Sequence, residues 1–252
     1  MAIVSHRYRF IFLKTRKTAS GTCELVLGRH CGPEDLLLPT KDGTDLGVTE
    51  RNNSKPLHRL SSADLRKVKR RCKQNLRNGR GLKFSRELKR ARRLIPSQHS
   101  TAVQVKRVVG EELWQSYFTF CFERNPFDRL VSFYHWRIRP LPEKPDFDRF
   151  ARIVIEGDHS EQKKWNAHSF SNRHHYMIDE KLAVDRVCRF EDLEGELRTV
   201  SEELHLPWDG WLPHTKGNIR PQRAYREYYT PQLRSACEAA FAVELELLWY
   251  DY

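Results

Sequence analysis

No apolar stretch of this 252-residue chain approaches the length needed to span a bilayer, and Met1 to His6 lead almost directly into a strand-like segment with no signal-peptide core. The expectation is a soluble, cytoplasmic protein. Cys23, Cys31, Cys72, Cys121, Cys188 and Cys237 are scattered without CxxC or any other ligand spacing, so neither a zinc site nor a dense disulfide framework is indicated, and no metal is expected. Internal repeats and low-complexity tracts are absent as well. So are the order GxxxxGK[ST] and an apolar strand ending in a magnesium-binding aspartate, which weakens an ATPase or kinase reading.

What the chain does have is positive charge in one place. The formal net charge is +12, yet Lys55 to Arg93 alone holds 16 Lys or Arg against Asp64 and Glu87, a local net of +14, and the remainder sums to −2. Such a stripe attracts polyanions: nucleic acid, sulfated or carboxylated glycans, or an anionic membrane. Ser61 to Leu76 opens with a capping box at Ser61 and Asp64 and carries apolar residues at Leu65, Val68, Cys72 and Leu76, so it reads as an amphipathic basic helix. Asn78-Gly79-Arg80-Gly81 breaks it, and Phe84, Leu88, Ala91 and Ile95 mark a second short helix. Together they form a basic helical hairpin over residues 55–95, an insertion expected to serve an anionic acceptor or partner rather than nucleic acid.

With 39% hydrophobic and 11% aromatic residues the chain can bury one good core, and a single domain over residues 1–252 is expected. A β-prone stretch at Arg7–Leu13 leads through Lys14–Thr22 into a helix over Cys23–His30. Pro39 to Pro56 reads as an irregular connection. Helices follow at 101–110 and 111–115, then a strand beginning at Tyr117, helices near 147–155 and 191–204, a short strand at 183–189, and a last helix starting at Thr230-Pro231. That alternation predicts an α/β fold with a mostly parallel central sheet flanked by helices.

The segment Tyr117 to Trp136 is the most informative. Phe118, Phe120 and Phe122 alternate with Tyr117, Thr119 and Cys121, apolar or nearly so on both faces, as in a strand covered on both sides. Asn125 suits the helix cap, Pro126 the first helical position, and Asp128 stands in a capping-box relation to Asn125. Arg124, just before the helix, can grip an oxyanion with its planar fork, and the Ser132 hydroxyl can reach the same anion. The competing reading is an Arg124 that merely pairs with a carboxylate.

Lys14 to Thr22 has the ingredients of a phosphate cradle: small residues, hydroxyls at Thr18, Ser20 and Thr22, a lysine, and a helix N-terminus behind them. Taken together, Lys17-Thr18-Ala19-Ser20-Gly21-Thr22 and Arg124-Asn125-Pro126-Phe127-Asp128-Arg129-Leu130-Val131-Ser132 resemble the two signature segments of the carbohydrate-type (family 2-like) branch of the sulfotransferases, whose donor is 3′-phosphoadenosine 5′-phosphosulfate (PAPS). The likeness extends to Val187–Leu193, to the loop at Asn218–Tyr229 and to Leu248–Tyr252.

The resemblance implies a P-loop-NTPase-like sulfotransferase fold and a PAPS-dependent enzyme that sulfates a hydroxyl-bearing acceptor, a carbohydrate and one that can be anionic. It implies that Arg16, Lys17, Thr18, Ala19, Ser20, Gly21 and Thr22 hold the 5′-phosphosulfate, and that Arg124 and Ser132 hold the 3′-phosphate. Lys17 is implied as the catalytic cation on the leaving group, with Arg16 and Lys14 as candidate helpers whose competing reading is a pair of solvated turn residues. Ser20 and Gly21 depart from the family's order, so the hydroxyl contacts there carry over less directly than the lysine. His99, at a loop-to-helix start ahead of the Arg124 strand, matches the position of the catalytic histidine in related carbohydrate enzymes and is the expected general base, with His168, His174, His175 and Glu24 as rivals. Trp165, His168, Arg173 and Tyr176 are candidates to line the acceptor site. Other readings of the same residues are a nucleic-acid-binding protein working through the basic hairpin and a P-loop-like nucleotide kinase.

Overall fold

A computed structural model describes residues 2–37, 44–54, 60–92, 94, 99–157, 159–165, 170–213, 221 and 223–252. Its strands are β1 (Ala2–Ser5), β2 (Phe10–Leu13), β3 (Leu36–Leu37), β4 (Phe118–Glu123), β5 (Met177–Ile178), β6 (Lys181–Leu182) and β7 (Arg186–Arg189). The helices are α1 (Ser20–Gly28), α2 (Ser62–Arg77), α3 (Phe84–Arg92), α4 (Ala102–Val109), α5 (Glu111–Ser116), α6 (Pro126–Ile138), α7 (Phe147–Ile155), α8 (His159–Trp165), α9 (Arg173–Tyr176), α10 (Leu193–Glu203), α11 (Pro231–Ala240) and α12 (Ala242–Leu248).

The main sheet has the order β3-β1-β2-β4-β7. Only β1 is antiparallel to its neighbours, so four of the five strands run the same way, and the expected α/β fold with a mostly parallel sheet is the one observed. On one face Phe10, Phe12, Phe120 and Phe122 pack with Leu25 and Val26 of α1 and Leu197 and Val200 of α10. On the other, Ile11, Leu13 and Cys121 meet Ala102 and Val105 of α4, Trp114 of α5 and Tyr176. The rings of Phe12 and Phe120 lie across the parallel β2–β4 pair with centroids 5.3 Å apart. Burial on both faces is why these strands read as near-continuous apolar runs. A third cluster joins α6, α7 and α11 around Phe127, Phe150 and Leu233.

The strand expected over Arg7–Leu13 begins only at Phe10, because residues 6–9 form the turn of a β1–β2 hairpin, with Arg9 left-handed at φ 54°. Asp35 holds that turn: its carboxylate accepts from the His6 N–H at 2.6 Å and from the Ser5 hydroxyl at 2.9 Å.

Both hairpin helices form, α2 with the expected capping box at Ser61 and Asp64. Val68 and Cys72 are buried, while Leu65 and Leu76 of the same stripe stay exposed. The hairpin is tied to the body by Lys89 and Glu50, 3.2 Å apart, and by the Leu94 N–H to the Asn53 carbonyl at 3.4 Å. All six cysteines are reduced and buried. Among the described residues no helix is long and apolar enough to cross a membrane.

Candidate active site

The corner between β4 and α6 forms as a tight strand-to-helix junction. Asn125 caps α6 by accepting from the Phe127 N–H at 3.0 Å, and Pro126 takes the first helical position. The expected capping box with Asp128 is not formed. Asp128 instead accepts from Arg124 Nε at 2.7 Å and from Arg124 Nη2, while the Asn125 N–H goes to Glu191 Oε1 at 2.8 Å. The Arg124 guanidinium lies 4.2 Å from the centre of the Phe190 ring and donates through Nη1 to the Lys17 carbonyl at 3.2 Å. Thus the two segments far apart in sequence meet. Ser132 sits half-buried further along α6.

The C-terminal residues close the same corner. Tyr250 donates to Glu191 Oε2 at 2.6 Å and to the Glu123 carbonyl at 3.1 Å, and Asn125 Nδ2 donates to the Asp251 carbonyl at 2.8 Å. Tyr229 donates to the Phe127 carbonyl at 2.8 Å. Residues 218–220 and 222 of the expected closing loop lie outside the described residues.

Behind the corner Arg129 is fully buried, 2.6 Å from Glu123 and 3.7 Å from Glu244. Burial works to lower its pKa, but the two carboxylates outweigh that and raise it, so the guanidinium stays charged. Burial in turn pushes the Glu244 carboxyl up, with Arg129 pulling it down.

The loop from Lys14 to Ala19 is held at successive points. The His99 Nδ1–H donates to the Lys14 carbonyl at 3.0 Å. Asn172 accepts from the Arg16 N–H at 2.9 Å and donates to the Arg16 carbonyl at 3.0 Å. Arg124 takes the Lys17 carbonyl, and Thr15 bonds the Thr18 hydroxyl at 2.8 Å and the Phe122 carbonyl. Lys17 and Ala19 are left-handed, at φ 63° and 48°, a conformation that costs a non-glycine residue about 1–2 kcal/mol and so needs such clamps.

Helix α1 then starts at Ser20 with no side-chain cap, and its first bond runs from the Cys23 N–H to the Ala19 carbonyl at 3.2 Å. The N–H groups of Ser20, Gly21 and Thr22 therefore head the helix with its positive dipole end, an arrangement suited to an anion.

Several expected participants are placed differently. Lys14 is 3% exposed and pairs at 2.6 Å with buried Glu24, so neither is a solvated helper or an available base. The Thr22 hydroxyl donates to the Pro213 carbonyl at 2.8 Å. Thr18 is fully buried, its hydroxyl turned to Thr15. Lys17 Nζ lies 5.5 Å from the centre of the half-exposed Trp136 ring. Arg16 has a buried Nε with no hydrogen-bond partner, and burial, with Arg137 nearby, lowers its pKa.

Because a carbonyl only accepts, the His99 hydrogen bond places the ring proton on Nδ1 and leaves Nε2 as the unprotonated ring nitrogen. Burial, together with the positive charge of Arg16, pushes His99 down to about 2. His175 is fully buried, bonds the Ser100 carbonyl at 3.0 Å, and is pushed by burial to about 3. The His174 ring lies against it, tilted by 49° with ring centroids 4.1 Å apart. His168 lies outside the described residues.

Of the residues expected to line an acceptor site, Tyr176 is fully buried in the core, whereas Trp165 is only half-buried, packing on Phe150 at the edge of the third cluster with its carbonyl accepting from Arg137 Nε at 2.9 Å. Arg173 pairs with Glu180. Asn172, which no spacing in the sequence marks, proves to be the central clamp: beyond Arg16 it also donates to Glu123 Oε1 at 3.1 Å. Among the described residues no three His, Cys, Asp or Glu side chains converge as metal ligands would.

Comparisons with known proteins extend this picture. An uncharacterized protein of Archaeoglobus fulgidus is 27% identical over 106 residues, 42% of this chain and 82% of that relative. The crystal structure of a sulfotransferase from Alicyclobacillus acidocaldarius is 16% identical and aligns over 97% of this chain and 96% of its own, with a TM-score of 0.44. The sulfotransferase family model matches residues 1–242, a span that takes in the loop, the corner and every strand. The chain belongs to the sulfotransferase family, and is by that membership a transferase of sulfuryl groups.

Proposed function

We propose that the protein takes its sulfuryl group from PAPS and passes it to a hydroxyl of a carbohydrate acceptor by direct in-line displacement. The observation that carries this reading is the hydrogen bond from Arg124 to the Lys17 carbonyl, because it brings two anion-gripping segments into one site. A donor that is phosphorylated at two ends of one adenosine asks for that pairing. The chemistry of the site fits such a donor in its uncapped helix start and the orphaned buried Nε on Arg16, while Arg124 already spends its Nε and Nη2 on the Asp128 carboxylate.

PAPS supplies, when bound, a sulfuryl group on a phosphate leaving group. The chain's own residues do the rest. Arg124, steadied by Asp128, and Ser132 bind the 3′-phosphate, while the N–H groups of Ser20, Gly21 and Thr22 and the side chain of Arg16 receive the 5′ end. Thr18 and Ala19 shape the loop, and Lys17 offsets charge building on the leaving oxygen. His99 Nε2 accepts the proton of the acceptor hydroxyl. An imidazole held neutral by burial is a weak base alone, and the negative charge of a bound donor raises its basicity. The basic hairpin is an addition to a single sulfotransferase domain spanning residues 1–252.

A thermal-shift comparison tests the donor. 3′-Phosphoadenosine 5′-phosphate (PAP) at a hundred times its Kd should add about 2.7 kcal/mol to stability. ATP with magnesium should add little. Stabilisation by ATP-magnesium alone would instead identify a nucleotide kinase.

A further inference from the structure

At the tip of the α2–α3 hairpin three large apolar side chains face solvent: Leu76 is 53% exposed, Leu82 65% and Phe84 51%. Around them stand Arg77, Arg80, Lys83 and Arg86, all exposed, and no acidic residue occurs between Leu76 and Arg86. The inner side of the hairpin is different. There the buried Glu87 carboxylate lies 3.2 Å from Arg90 and 3.8 Å from Arg71, and accepts from Asn75 at 3.4 Å. Among the described residues no ion pair reaches the four cations of the tip.

The turn itself stands clear of the body. Gly79 and Gly81 are left-handed, at φ +65° and +67°, and a Cβ on either would meet nothing within 4 Å. Behind the tip Arg66, Lys69, Arg70, Lys73 and Arg77 recur at intervals of three and four along α2. They therefore share one side of the helix and extend the positive surface over about 16 Å.

We infer that this tip docks on an anionic lipid surface. Nucleic acid or a sulfated polysaccharide would satisfy the cations, yet neither gives Leu76, Leu82 and Phe84 an apolar phase to enter. A bilayer offers both, phosphates at headgroup level and the acyl boundary just beneath, and interfacial segments combine these two kinds of residue for that reason. The inference is independent of which donor the active site takes.

The test is flotation of the full chain with vesicles of phosphatidylcholine, with and without phosphatidylglycerol. The chain should float with the phosphatidylglycerol vesicles and not with phosphatidylcholine alone. The double variants Leu82→Ser/Phe84→Ser and Arg80→Glu/Lys83→Glu should each lower that partition at least about tenfold while keeping the wild-type melting midpoint, since all four side chains are exposed. In a Phe84→Trp variant that also carries Trp211→Phe and Trp249→Phe, the emission should shift to the blue on these vesicles. Failure to float overturns the docking surface. So does a Leu82→Ser/Phe84→Ser variant that floats like wild type and binds a short DNA duplex as tightly, which would mark a purely electrostatic polyanion surface.

Discussion

Asn172 holds Arg16 by both ends of its peptide frame, accepting from its N–H at 2.9 Å and donating to its carbonyl at 3.0 Å. The same amide nitrogen bonds Glu123, which pairs with Arg129, so the loop, the strand end and α6 share one buried polar network. Such a network fixes geometry when every member is satisfied and fails sharply when one is removed.

Asn172→Ala should therefore cost about 1–3 kcal/mol in urea unfolding for each backbone group left without a partner. It should also shrink the melting shift given by PAP, because the loop loses its left-handed shape. Asn172→Asp should be worse, since a carboxylate cannot donate to the Arg16 carbonyl and would face Glu123. A normal PAP response in Asn172→Ala would show that the clamp is structural only.

Lys17 and His99 should separate kinetically. Lys17→Ala should lower kcat by about 10²- to 10³-fold through lost charge stabilisation. His99→Ala should retain PAP binding and lose about 10²- to 10⁴-fold in the chemical step. Turnover near wild type in His99→Ala would move the base to another group.

Replacing Arg129 by Met should destabilise the fold by about 3–5 kcal/mol, because Glu123 and Glu244 would be left buried without their cation. Reversible denaturation measures it directly. The double variant Arg129→Met/Glu123→Gln should recover part of the loss.

Acid should unfold the protein early. His99 and His175 are held down at about 2 and about 3 in the fold, whereas in the unfolded chain they titrate near the ordinary 6.5. The unfolded state therefore binds the extra protons, and the stability from each is whole above pH 6.5 and is lost as pH falls below it, by up to about 1.4 kcal/mol per pH unit. Melting midpoints between pH 7 and 5 should fall, and a His175→Gln variant should flatten the slope.

The parts of this arrangement written in local patterns were legible in the chain. The capped start of α6, the capping box at Ser61 and the doubly buried β4 follow from neighbours in sequence. The bringing together of residues 17 and 124 was readable only through family likeness. Partners chosen by the tertiary fold were hidden. Asp128 has the spacing of a capping residue, yet Arg124 offers it a charge-assisted bond, which outweighs a neutral backbone donor. Lys14 looks like a turn lysine until Glu24 is seen one helical turn into α1. Strand β1 is four residues long and is recognised only by its pairing with β2, and Asn172 acts across 156 positions.

Every native thiol is buried in the folded chain, and Cys23 and Cys31, for example, are pushed by burial to about 12. Maleimide and iodoacetamide dyes should pass them over. A lone cysteine engineered at an exposed position such as Ser85 would then be the only group to take a fluorophore, and distances from it could be followed in the otherwise native sequence.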